Sequence, residues 1–153
     1  MKGASRILIY AGILVLFVFV VLHALGVGIQ TYNIAAGVWE PAVDWAQYGA
    51  LKMAIVIGRA LSTAVLLVMF AMFMSNIFRS ESGPFVGANS KLLFWSLLPY
   101  FIYAFCDSNL PIINGERYIQ IDTHTILGGG LLFLVAFIYA RAVSLREESD
   151  LTI

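Results

Sequence analysis

The ionisable residues within or beside the apolar runs of this sequence include His23, Arg59, Asp107, Asp122 and His124. Ionisable side chains at membrane depth are energetically costly, and they commonly mark functional sites. With a rise of about 1.5 Å per residue, all five fall near one level, close to the outer boundary of a hydrocarbon layer roughly 30 Å thick. We therefore expect a polar layer to which each membrane helix contributes at least one residue.

Three kinds of chemistry fit this layer. Arg59 can pair with Asp107 or Asp122 while the histidines accept hydrogen bonds, because a buried charge is costly to leave unpaired. His23 and His124 can instead act as axial ligands of a haem or as ligands of a metal ion. A small-ligand or proton-sensing site is the third interpretation, since histidine changes charge near neutral pH. We favour the ion pair, which needs no cofactor, and keep the bis-histidine haem or metal site as the alternative.

Enzyme chemistry has little support in the residue pattern. The sequence contains no Ser-His-Asp grouping, metalloprotease motif or phosphate-binding glycine loop. Cys106 is the only cysteine, which excludes an internal disulfide and a thiolate-rich metal site. Gly128, Gly129 and Gly130 stand inside an apolar run, where they favour close helix packing over making room for a haem ring. We predict a non-enzymatic protein with no catalytic residue.

The elements that position these residues are four apolar runs. Hydrophobic residues make up 61% of the 153-residue chain and charged residues only 12%, well outside the proportions of a soluble domain. Lipid offers the backbone no hydrogen-bond partners, so runs of about 20 apolar residues must be helices. We predict an all-α, integral membrane four-helix bundle, with residues 1–153 forming a single transmembrane domain. The predicted spans are residues 7–29, 50–78, 91–107 and 121–143, followed by a cytoplasmic tail at 144–153.

The distribution of Lys and Arg predicts the orientation of these spans. Six basic residues fall on the side of the two termini, against two or three on the other side, which favours cytoplasmic termini and a multi-pass protein of the bacterial inner membrane. Lys2 and Arg6 also form a basic start like that of a signal peptide. The apolar core that follows is much longer than the roughly 7–15 residues of a signal sequence, so we predict that it is retained as a span.

Three shorter signals concern the connections. Asn114-Gly115 between β-prone residues predicts a small hairpin. Pro99 predicts a kink in the third helix. Asn89 or Ser90 is placed to cap the beginning of that helix.

Two short motifs carry a family resemblance. The chain ends with Leu145, Glu148 and Asp150-Leu151-Thr152-Ile153, and Pro84-Phe85 is followed by Asn89. These segments resemble the Leu-x-x-Glu-x-Asp-Leu-Thr-Ile/Val tail and the Pro-Phe-x-x-x-Asn step of a bacterial membrane-protein family of unknown function (DUF 2975, the YoaS-like family). The chain departs from many relatives at Ala142-Val143, where a basic-glycine step is usual.

The resemblance implies a four-helix inner-membrane protein with no established enzyme activity. Such proteins are often encoded beside a small helix-turn-helix regulator of the Xre type, which implies a membrane partner that holds or modulates a DNA-binding protein. Nine basic residues balance nine acidic ones, so we expect contact with the lipid bilayer and no direct nucleic-acid binding; homo-oligomerisation stays open. As a hypothesis, the tail and the Arg79–Lys91 loop form one cytoplasmic docking face. Its predicted residues are Pro84, Phe85, Asn89, Leu145, Glu148, Asp150, Leu151, Thr152 and Ile153.

Overall fold

The computed structural model describes residues 3–36, 49–80, 85–116 and 118–150. Three helical stretches, Tyr10–Ala35, Gly49–Arg79 and Thr123–Ser149, are long and apolar enough to cross a membrane. No β-strand occurs in the described ranges, so the predicted all-α class is confirmed, and the protein is a membrane-spanning helical bundle. The elements in chain order are α1 (Gly3–Ala35), α2 (Gly49–Arg79), α3 (Gly87–Trp95), α4 (Leu97–Ser108), a 3-10 helix (Leu110–Asn114) and α5 (Thr123–Asp150).

Consecutive helical segments run antiparallel, and α3 and α4 together form the segment predicted as the third span, a name that we keep below. In each pair of neighbouring spans, a residue near the beginning of one span contacts a residue near the end of the other. These contacts are Tyr10–Phe78, Arg59–Asp107 and Val86–Tyr139. The end of the bundle that holds Tyr10, Phe78 and Tyr139 therefore holds the beginning of α1 and the end of α5, and we call it the termini end. We call the opposite end, where Ser108 meets Thr125, the polar end.

The third span is interrupted at Ser96, between α3 and α4. Pro99 has no N–H for the carbonyl of Trp95, and its ring crowds that carbonyl, so the helix loses one regular hydrogen bond one turn before the proline. The Ser96 hydroxyl donates to the Leu93 carbonyl at 2.7 Å, and the Ser96 N–H donates to the Leu92 carbonyl at 2.9 Å. From Gly87 to Ser108 the span covers about 33 Å at helical rise, enough to cross the hydrocarbon layer.

The loop at the polar end corrects one prediction. The hairpin expected at Asn114-Gly115 is wrong, because residues Leu110–Asn114 form a 3-10 helix that ends at Gly115 with φ of 100°. Pro111 in the first turn fixes a helical φ and cannot donate to a strand ladder. Asn109, fully buried before this helix, donates to the carbonyl of Gln120 and accepts the Gln120 N–H at 2.7 Å. Its amide thus replaces the hydrogen bonds that a hairpin would have supplied.

The 3-10 helix closes the polar end of the bundle with apolar side chains. They pack with residues from α1, α2 and α4 into one buried cluster, because these helices converge here. The cluster contains Ile34, Ile55, Val56, Cys106, Ile112 and Ile113.

Asn89 is a second correction, since neither it nor Ser90 caps the third span. The helix begins at Gly87, its N-cap is Val86, and no side chain caps it. Asn89 is 0% exposed; it accepts a hydrogen bond from the Asn76 amide at 2.8 Å and donates to the Phe73 carbonyl at 3.1 Å. A buried side-chain amide needs partners for both its N–H and its C=O groups. These hydrogen bonds join Asn89 on α3 to α2.

Glycines allow close approach between helices at three positions. A side chain on Gly58 would lie 2.9 Å from the Cys106 sulfur. Gly128 faces the Tyr100 hydroxyl, and Gly129 faces the Phe101 ring. Gly130 has open space instead, so the predicted packing role applies to the first two members of the glycine run only.

Gly58→Ala should lower stability by about 1–3 kcal/mol, because the new methyl group overlaps the buried Cys106 sulfur. Gly130→Ala is the control, and it should raise stability by up to about 1 kcal/mol through helix propensity alone. Thermal unfolding in detergent measures both effects. The double variant Gly58→Ala/Cys106→Ala should recover most of the loss, since it removes the overlapping atom. A loss that the second substitution leaves unchanged would contradict this packing.

Candidate functional site

The centre of the polar end is an ion pair between α2 and α4. Arg59 is 6% exposed, and its Nε donates to the Asp107 carboxylate at 2.7 Å. The Asp107 side chain is 42% exposed, so the pair lies at the edge of the bundle with its cation inside. Of the two pairings expected from sequence, the structure contains the one with Asp107. A short charge-assisted bond of this kind satisfies a cation that lipid cannot solvate.

Tyr103 extends the pair to α1. The Tyr103 hydroxyl and the His23 Nε2 are 2.9 Å apart, and the two rings meet edge to face at 5.5 Å between centroids. The guanidinium carbon of Arg59 lies 6.0 Å from the centre of the Tyr103 ring, at the outer limit of a cation–π contact. Side chains from three elements, α1, α2 and α4, therefore form one polar cluster, which comprises His23, Arg59, Tyr103 and Asp107.

Asp122 and His124 take a different place from the one expected. Both are exposed at the beginning of α5, where the Asp122 carboxylate accepts the backbone N–H of His124 at 3.1 Å. This is the ordinary hydrogen bond of a helix N-cap. Helical rise predicts the height of a residue along its helix, but it says nothing about the direction in which the side chain points. The five residues therefore do not form one site, and their common level stays a prediction.

The bis-histidine alternative gains no support from these positions. His23 already shares its Nε2 with Tyr103, and Tyr100 and Phe101 occupy the space beside Gly128 and Gly129. Within the described ranges, no group of three or more His, Cys, Asp or Glu side chains could hold a metal ion. The haem or metal site at His23 and His124 stays a prediction.

Tyr103 is the member of the cluster that sequence reasoning missed. It precedes Asp107 by four residues and therefore lies on the same face of α4, one turn away. That spacing indicates that Tyr103 and Asp107 share a face of the helix. A tyrosine in an apolar aromatic segment is, however, more typical of an anchor at the membrane interface.

Only some residues of the predicted docking face fall within the described ranges. Phe85, Leu145 and Glu148 are exposed at the termini end. Phe85 precedes α3, and Leu145 lies on α5, the helix against which α3 packs. Asn89 does not belong to this face, because it is fully buried between α2 and α3. Asp150 is the last residue of α5. The remaining members of the prediction, Pro84, Leu151, Thr152 and Ile153, lie outside the described residues.

Asp107→Asn should lower stability by about 1–3 kcal/mol, less than for a fully buried pair because water screens the exposed carboxylate. The loss arises because the buried Arg59 cation keeps its charge and loses its counterion. Asp122→Asn is the matched control, and it should change little because Asn caps a helix as well as Asp does. Thermal unfolding of both variants in detergent makes the comparison.

The double variant Arg59→Met/Asp107→Leu should be close to the native protein in stability, since an apolar pair of similar volume often replaces a buried ion pair without loss. Equal losses for Asp107→Asn and Asp122→Asn would show that the ion pair contributes nothing specific.

No family model, no curated protein and no solved structure matches this chain. The resemblance to the YoaS-like family is therefore carried by the short motifs at the tail and at Pro84-Phe85. Membership of that family stays a prediction.

Proposed function

We propose that this protein is a non-enzymatic, multi-pass protein of the bacterial inner membrane that docks a cytoplasmic regulator at its termini end. The observation that carries the proposal is the length of α5, which continues to Asp150. Its 28 residues extend for about 42 Å, against a hydrocarbon layer of roughly 30 Å. With the beginning of α5 at one membrane boundary, its last two turns project from the other as an ordered helix.

The projecting helix is held against the loop between α2 and α3. Arg146 donates from Nη1 to the Phe85 carbonyl at 3.0 Å. Tyr139 accepts the Val86 N–H at 3.0 Å, and its ring lies 5.5 Å from the Phe85 ring. Because these contacts join the tail to the loop, a partner can touch both at once. That adjacency supports the hypothesis of one docking face.

The exposed side chains of this region combine apolar and charged groups. Phe85 is 44% exposed and Leu145 is 50% exposed. Glu148 accepts a hydrogen bond from the Ser144 hydroxyl at 3.2 Å and lies 3.9 Å from the Arg141 guanidinium. Protein interfaces commonly place apolar contacts at the centre and charged groups at the rim, and this arrangement suits a soluble protein partner.

The partner we propose is a small helix-turn-helix regulator of the Xre type. The likeness of the tail to the YoaS-like family supports it, because such regulators are often encoded beside members of that family. The excess of Lys and Arg at the termini end supports a cytoplasmic location for the docking face. In this arrangement the regulator contacts DNA, and the membrane protein holds the regulator.

Deleting residues 150–153 from the full chain should abolish co-purification of a co-expressed Xre-type regulator without reducing membrane insertion. Leu145→Ser should weaken the complex by at least about tenfold, the effect of losing one well-buried leucine contact. Leu127→Ser is the control, because Leu127 is similarly exposed on the same helix near the polar end. Binding is measured with the purified proteins in detergent.

Unchanged co-purification after the deletion would reject the tail as a docking element. An equal loss of binding in Leu145→Ser and Leu127→Ser would show that the effect comes from the helix as a whole and not from the docking face.

A further inference from the structure

A cleft of about 580 Å³ lies inside the bundle, lined by residues from α1, α2 and α5 and from the third span. Its volume is in the range of roughly 300–1,000 Å³ usual for small-molecule sites. α1 packs against α2, and no helix packing joins α1 to α5 among the described residues. Since both α1 and α5 line the cleft, it opens to the lipid between them.

The cleft is elongated along the helix axes. On α2 its lining extends from Thr63 to Phe73, and on the third span from Tyr103 to Leu92. These distances are about 15–17 Å at helical rise. Leu, Val and Phe side chains form most of the wall, so the shape and the chemistry suit one extended hydrocarbon chain.

The polar end of the cleft offers hydrogen-bond donors. Tyr103 and His23 both line it and bond to each other. If the tyrosine donates to Nε2, the Nδ1–H of His23 is left to donate; if His23 donates, the tyrosine O–H is left. Arg59 does not line the cleft, but its guanidinium lies beside the Tyr103 ring, and its Nη1 is buried with no hydrogen-bond partner in the described part of the chain. Thr63 adds no donor, because its hydroxyl already donates to the Arg59 carbonyl at 2.8 Å.

A small, oxygen-rich head group fits these donors. Beyond Arg59 the buried cluster around Ile55, Cys106 and Ile113 closes the bundle, which leaves no room for a large head group. A charged head group bound there lies against the polar cluster of His23, Arg59, Tyr103 and Asp107, the region expected near the boundary of the hydrocarbon layer.

We propose that the cleft binds a long-chain fatty acid, with its carboxylate at Tyr103 and His23 and its chain extended toward Tyr139. Lipid tails are as apolar as the wall of the cleft, so moving the chain from the bilayer into the cleft gains little free energy. Selectivity therefore resides in the carboxylate and its donors. The site is independent of the docking face, whichever partner that face binds.

The test is binding of radiolabelled palmitate to the purified full chain in detergent, with unlabelled competitors. Palmitate should compete at least about tenfold better than methyl palmitate, which has the same chain and lacks the charge; charge-assisted hydrogen bonds have effects of this size. Tyr103→Phe should weaken palmitate binding by a similar factor, because it removes the hydroxyl and retains the ring.

A pair of tryptophan variants on α5 tests the position of the chain. Leu132→Trp fills the cleft, since Leu132 lines it, and should abolish binding. Leu131→Trp, at an exposed neighbouring position, should leave binding unchanged. Size-exclusion profiles show whether each variant is folded, and the nearly isosteric Tyr103→Phe remains informative if Leu132→Trp is not.

Three results would overturn the proposal. Equal competition by palmitate and methyl palmitate would show that the carboxylate is not recognised. Stronger competition by decylubiquinone than by palmitate would assign the cleft to a quinone. Equal binding by the two tryptophan variants would place the fatty acid in the detergent and not in the protein.

Discussion

The ion pair of Arg59 and Asp107 fixes the contact around which the bundle is arranged. Arg59 is only 6% exposed, and a buried guanidinium requires a counterion at a defined position on the neighbouring helix. Gly58, next to Arg59 in the chain, allows the Cys106 sulfur to approach the α2 backbone. Close packing and charge pairing therefore act at the same turn, and α2 and α4 form the most extensive helix contact in the described structure.

Apolar run length was sufficient to predict three helices long enough to cross a membrane and the all-helical character of the described residues, because a bilayer excludes nearly every other backbone conformation. What apolar run length did not predict was the direction in which each polar side chain points about its helix axis. Asp107 points toward Arg59, whereas Asp122 accepts a backbone N–H at the beginning of α5. Pairing between helices depends on the rotation of each helix about its axis, which packing sets after the spans have formed.

Local sequence patterns gave wrong predictions at two positions where hydrogen bonds between distant residues stabilise a different structure. Asn114-Gly115 is a strong turn signal, but Pro111 and the Asn109 clamp on Gln120 stabilise a 3-10 helix instead. Asn89 has the residue type of an N-cap, but Asn76 and the Phe73 carbonyl offer its amide two buried partners. In both cases a buried side-chain amide, that of Asn109 or that of Asn89, joins two segments, and the local signal for a turn or a cap is not followed. No local pattern contained that information.

The position of α1 has a consequence for the mechanics of the protein in its bilayer. Only 6% of the residues in the most apolar 18-residue stretch of α1 are buried in the protein, so most of this helix is surrounded by lipid. Its 33 residues measure about 50 Å, and a helix longer than the hydrocarbon layer tilts or extends beyond it. Side-chain contact between α1 and α4 is made at His23 and Tyr103, and α1 also packs on α2 through the Tyr10–Phe78 and Phe17–Phe70 ring pairs. A mismatch between α1 and the bilayer therefore acts on the protein through these few contacts and not through a broad buried face.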